Sequence, residues 1–62
     1  MMVTEDGEVV RVGDDVYLID GDEWATITKD ADQYGFINAS LLRNGDKVYV
    51  SLSRVASYDH TV

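Results

Sequence analysis

The stretch "INASLLRNGDKVYVSL", from Ile37 to Leu52, constrains the fold more than any other part of the chain. Two runs with apolar residues at alternate positions flank Asn44-Gly45. That dipeptide is the preferred pair for a two-residue type I′ hairpin turn, because both turn positions need positive φ. The turn sets a register. It opposes Leu41 to Val48, Ala39 to Val50 and Ile37 to Leu52, and every one of these pairs is apolar. The other face opposes Leu42 to Lys47, Ser40 to Tyr49 and Asn38 to Ser51. A slip of one residue would exchange the two faces, so this agreement argues for paired strands.

A second hairpin surrounds "IDGDEW", Ile19 to Trp24. With Gly21-Asp22 as the turn, Leu18 faces Ala25 and Val16 faces Ile27. With Asp20-Gly21 as the turn, Tyr17 faces Trp24. Both registers keep the same faces: Val16, Leu18, Ala25 and Ile27 on one, Tyr17, Ile19, Trp24 and Thr26 on the other. Upstream, "EVVRVGDD" reads as a lead-in strand ending at Gly13, and Asp6-Gly7 offers a turn for a short N-terminal hairpin. Lys29–Gly35, "KDADQYG", is polar with a glycine and reads as a loop. After Leu52, the Ser53-Arg54-Val55 step fits a single 3-10 turn, and Ala56–Asp59 fits a last short strand. The terminal His60-Thr61-Val62 is expected to fray.

Val, Ile, Thr and Tyr recur with period two, and the breaks come from glycine and Asp/Asn, since proline is absent. The expected fold is therefore all-β: five short antiparallel strands in a meander, with one 3-10 turn before the last strand. One apolar face per strand needs a cover. Curling the sheet on itself supplies that cover and removes most of the exposed edge. The expected core is Val10, Val12, Val16, Leu18, Ala25, Ile27, Ile37, Ala39, Leu41, Val48, Val50, Leu52 and Val55.

The 62 residues make one domain, with an ordered core from about residue 8 to 59. A chain this short buries only about 60% of its unfolded surface. It has no cysteine, so no disulfide compensates. No apolar run approaches the roughly 20 residues that span a membrane. The first twelve residues place acids rather than lysines before the valines, unlike a secretory signal. A soluble cytoplasmic protein is the default expectation. Because it begins with Met, the chain reads as a complete small gene product.

Twelve acids stand against five bases, a net charge of −7. Such a body repels phosphate, so direct binding of nucleic acid loses its main source of affinity. Nine of the acids are Asp. Asp favours turns, which a chain of short strands needs in number. An acidic surface also suits a basic partner.

The order of these signals resembles the SH3-like barrels, and among them the Tudor-like and KOW-like group. The carrying residues are "VGDDVYLID" (Val12–Asp20), "EWATI" (Glu23–Ile27) and "VYVSLSRV" (Val48–Val55). The resemblance covers about three quarters of the chain and implies a small five-stranded SH3-like barrel. It also implies a ligand docked against aromatic residues near the barrel rim. Tyr17 and Trp24 match the aromatic positions of the first hairpin, while Tyr34 and Phe36 lie in the loop and at the start of the next strand. An aromatic cage of that family holds a cation by its π faces. Where Tudor domains commonly carry a Tyr-Gly-Asn-type step before the fourth strand, this chain has Arg43-Asn44-Gly45. An arginine there repels a methyl-lysine ligand. The KOW-like function, RNA binding, lacks a basic patch.

Tyr17, Ile19 and Trp24 share the face opposite the core. They form either a cross-strand aromatic pair, covered by the chain's own loop, or an exposed patch for a partner. Asp20, Asp22 and Glu23 lack the spacing and the later bidentate glutamate of a calcium loop. His60 has no second histidine or cysteine to share a metal. A grouping of Ser57, Asp59 and His60 cannot hold triad geometry in a fraying tail. No catalytic residue, metal or cofactor is expected. Arg11, Arg43 and Arg54 are expected to pair with surface acids, with Arg54 bracing the closing turn.

The first reading is thus a non-enzymatic module that binds a protein or peptide, basic in character, through Tyr17, Trp24, Tyr34 and Tyr49 with Asp20 and Asp22 at the rim. A second is an acidic, phage-type inhibitor that mimics nucleic acid through Asp14, Asp15, Asp20 and Asp22. A third is a small structural subunit of a larger assembly, a homo-oligomer or a chain that lends a free strand edge.

Overall fold

The computed structural model describes residues 1–58. Asp59 and His60, and with them the end of the expected last strand and the terminal tail, lie outside the described residues. Among the described residues, seven strands form two antiparallel sheets: β1 (Met2–Val3), β2 (Val9–Val10), β3 (Asp15–Leu18), β4 (Glu23–Lys29), β5 (Phe36–Leu41), β6 (Lys47–Ser51) and β7 (Val55–Ala56). A single 3-10 turn, Leu52–Arg54, precedes β7. No α-helix is present among the described residues.

β1 and β2 make a two-stranded sheet, and the other five strands pair in the order β6-β5-β4-β3-β7. Among the described residues this ladder is open, because β6 pairs with β5 alone and β7 with β3 alone. The expected N-terminal turn at Asp6-Gly7 does form, with Gly7 at φ 85°. The expected lead-in strand is only β2, and it belongs to the small sheet rather than to the meander. The N-terminal hairpin docks on the far end of the chain. Glu5 N–H donates to the Val55 carbonyl at 2.7 Å. The Asp6 carboxylate accepts from the Ser57 amide at 3.2 Å and from its hydroxyl. Burial pulls the Asp6 carboxyl upward, yet the hydrogen bonds from Ser57 and Thr4 outweigh it and hold the group below its ordinary range.

The register of the β5–β6 hairpin differs from the type I′ expectation. Ala39 opposes Val48, Ile37 opposes Val50 and Asn38 opposes Tyr49. Leu41 N–H donates to the Asp46 carbonyl at 2.8 Å, so Leu42–Gly45 form a four-residue loop. Only Gly45, at φ 77°, is left-handed there. Asn44 instead accepts the Asp46 amide at 2.9 Å through its side chain. The shift is two residues, so both faces survive it. The β3–β4 hairpin takes the Asp20-Gly21 register, with Tyr17 opposite Trp24 and Val16 opposite Ala25. Its left-handed residue is Asp22, at φ 53°, and not Gly21.

The core holds Val10, Val16, Leu18, Ala25, Ile27, Ile37, Ala39, Leu41 and Val55, joined by Met2. Val48, Val50 and Leu52 are only half-buried against it. Val12 is a correction: it is 48% exposed. It sits at the corner of a turn closed by the Asp14 amide on the Arg11 carbonyl, with Gly13 at φ 98°. No helix among the described residues is long and apolar enough to cross a membrane.

Candidate functional site

Period-two alternation sends Tyr17 and Trp24 to the face opposite the core, and their rings meet with centroids 5.6 Å apart at 58°. The two residues are not equivalent. Tyr17 is buried, 1% exposed, whereas Trp24 is half-buried. The Tyr17 hydroxyl donates to Asp22 at the end of the hairpin loop. Tyr17 is therefore a packed structural residue, and an expectation that a partner touches it fails. Trp24 alone of the pair offers part of a ring to solvent.

A second aromatic cluster stands apart from the first. Phe36 and Tyr49 stack with centroids 5.0 Å apart at 23°. They are diagonal neighbours on the outer face, since Phe36 opposes Ser51. Tyr49 is 53% exposed. The row Asp15–Thr26–Ser40–Lys47 runs across the outer face between this cluster and the Tyr17–Trp24 row. The four expected aromatic contacts thus do not form one patch.

Asp32 organises the second cluster, and sequence reasoning did not single it out. Its Oδ1 accepts the amides of Tyr34 at 2.9 Å and Phe36 at 3.1 Å. Its Oδ2 accepts from the Tyr49 hydroxyl. The turn it caps ends at Gly35, at φ 78°, whose amide reaches the Asp32 carbonyl at 3.0 Å. The signal was present in "DQYG", an Asp at the first turn position and a Gly at the fourth. Tyr34 projects from this turn and is 74% exposed. The Tyr49 hydroxyl, followed by the Phe36 and Tyr34 amides, holds the Asp32 carboxyl below its ordinary range against a smaller opposing pull from burial. The same bond to Asp32, followed by burial, pushes the Tyr49 phenol up. Lys29, Asn38, Ser40 and Lys47 line a second groove of about 270 Å³. Tyr49 thus has the Asp32 carboxylate at its hydroxyl and Lys47 two positions along its own strand.

A cleft of about 370 Å³ lies beside this cluster, and Phe36 and Ser51 are part of its lining. Leu18, Leu41, Val48 and Val50 form its apolar wall, and Asp20, Glu23 and Arg54 stand at its margin. Two ion pairs fix that margin. Arg54 reaches Asp20 at 2.7 Å, and Arg43 reaches Glu23 at 2.8 Å. The Arg54 hydrogen bond holds the Asp20 carboxyl down. The Arg54 carbonyl also accepts the Ile19 amide at 3.1 Å, so Arg54 clamps the closing turn to the β3–β4 loop as expected. Arg11 makes no ion pair among the described residues; its amide donates to Asp14 Oδ2 at 2.9 Å.

The acids at the turns are used within the fold. Asp14 accepts the Arg11 amide, Asp15 the Thr26 hydroxyl at 2.7 Å, Asp20 the Arg54 guanidinium and Asp22 the Tyr17 hydroxyl. Their main work is to close turns. No group of three His, Cys, Asp or Glu residues suited to a metal occurs among the described residues. Searches against family models, curated proteins and solved structures return no match.

Proposed function

We propose that this chain is a non-enzymatic binding module with an SH3-like curl of the Tudor-like kind, and that it takes a basic protein or peptide. The order of the meander and the 3-10 turn before β7 support that fold reading. The observation that carries the functional reading is the Phe36–Tyr49 stack, exposed on one side and held against Asp32. A cation over an aromatic face gains about 0.5–1 kcal/mol at an exposed site. The neighbouring carboxylate adds attraction, and the net charge of −7 favours encounter with a basic partner. Trp24 belongs to a separate part of the outer face and plays a lesser role.

A lysine-rich peptide, titrated by calorimetry, tests the reading. Tyr49→Ala and Asp32→Asn weaken binding severalfold, and added salt weakens it further. Equal affinity in wild type and both variants overturns it.

A further inference from the structure

The two edges of the five-stranded sheet are treated differently. The β7 edge is covered, because Glu5 donates to the Val55 carbonyl and Asp6 binds the Ser57 amide. Among the described residues, no strand lies beside the β6 edge. The hairpin register says which backbone groups face outward there. Leu41 pairs with Asp46 through its amide, and Leu52 pairs with Gly35 in the same way. In an antiparallel ladder, hydrogen-bonded pairs alternate with unbonded ones. Val48 and Val50 therefore turn their amides and carbonyls toward β5, while Lys47, Tyr49 and Ser51 turn theirs to the open edge. The apolar cleft begins at this same edge, since the half-buried Val48 and Val50 form one of its walls.

We infer that the free edge of β6 and the cleft beside it accept one extended segment of a partner, whose backbone pairs with Lys47, Tyr49 and Ser51 while its alternate apolar side chains enter the cleft. The inference rests on the basic-partner reading and supplies its mode of binding. Side chains of an added strand alternate between faces. Those on the core face meet Leu18, Leu41, Val48 and Val50. Those on the outer face meet Lys47, Tyr49 and Ser51; beside Tyr49 the Asp32 carboxylate favours lysine or arginine, while Lys47 disfavours a base directly opposite itself. A cleft of 370 Å³ is near the small end of ligand pockets, which suits one or two aliphatic side chains. The recognition code is thus apolar residues alternating with basic ones in a strand. A folded partner can bind in this way only through a free edge strand of its own.

The test uses an alternating valine–lysine heptapeptide in three forms: unmodified, N-methylated at the valines, and N-methylated at the lysines. Only one set of amides points at β6 in a one-sided ladder. One methylated peptide therefore loses about tenfold in affinity, the equivalent of one or two hydrogen bonds, and the other keeps its affinity. Binding of the unmodified peptide also slows amide exchange at Lys47, Tyr49 and Ser51. If all three peptides bind equally, strand addition is wrong while the basic-partner reading stands. If an alternating valine–glutamate peptide binds as well as the valine–lysine one, the basic-partner reading is wrong. No binding by the unmodified peptide overturns both.

Discussion

Tyr17 and Trp24 face each other across β3 and β4 with their rings 5.6 Å apart, yet only Trp24 reaches solvent. Such a pair adds about 0.5–1.5 kcal/mol beyond the area it buries. Its main consequence is positional. It ties the first hairpin's outer face to Asp22, whose left-handed backbone ends the loop beside the cleft.

The asymmetry of the pair predicts unequal losses. Tyr17→Ala empties a buried site and costs about 3–5 kcal/mol, comparable to the whole stability of a domain this small. Tyr17→Phe removes only the hydroxyl and costs about 1 kcal/mol. Trp24→Ala leaves the chain folded. Urea denaturation of the three variants measures the ranking.

The β5–β6 loop predicts a contrast between neighbours. Gly45→Ala forces a Cβ into a left-handed conformation and costs about 1–2 kcal/mol. Asn44→Ala loses one exposed side-chain hydrogen bond and costs about 0.5 kcal/mol. A type I′ turn would make both positions sensitive to a Cβ with positive φ. Nuclear Overhauser contacts check the register independently: the α-protons of Asn38 and Tyr49 are close, and those of Ser40 and Tyr49 are not.

Two valines predict opposite outcomes. Val55, fully buried, loses about 2–3 kcal/mol on truncation to alanine. Val12, at an exposed turn corner, loses no more than about 0.5 kcal/mol. For a domain of this length each kcal/mol moves Tm by about 4–8 °C, so calorimetry separates the two clearly.

The Tyr49–Asp32 bond predicts pH dependence at both ends. Asp32, like Asp6 and Asp20, has its carboxyl held below the usual value of about 4. Such groups stabilise the fold above that pH, and the contribution is lost as pH falls through their lowered folded values. The Tyr49 phenol is pushed above its usual value of about 10. Its contribution is present below pH 10 and is lost as pH rises through the raised value. Stability is therefore flat from about pH 5 to 9 and falls outside. Ultraviolet titration of the tyrosines shows a late phenol that Asp32→Asn brings back toward the ordinary value.

Much of this arrangement was legible in the chain. The faces of β3 to β6 followed from period two alone, because a register error of two residues leaves them unchanged. The exact partners did not follow. Asn44-Gly45 satisfies a type I′ turn, but the pairing of Leu41 with Asp46 makes a longer loop in which only Gly45 needs positive φ. Val12 belongs to the apolar alternation, yet Gly13 turns the chain before it can reach the core. The docking of Asp6 on Ser57 spans most of the sequence and leaves no local signal. At the site, the aromatic residues were visible but their grouping was not. Whether Tyr17 joins Trp24 or Tyr49 depends on which rows of a twisted sheet lie side by side, and the polar row from Asp15 to Lys47 separates them. The cleft was hidden for a related reason. Val48 and Val50 read as ordinary core positions, and only the open ladder leaves them half-covered.

Amide shift mapping of the labelled protein with the valine–lysine peptide separates strand addition at β6 from docking at Trp24. The largest changes are expected along Lys47–Ser51 and at Phe36, Leu18 and Leu41, with little at Trp24. Changes centred on Trp24 and the β3–β4 loop, with β6 silent, would contradict strand addition.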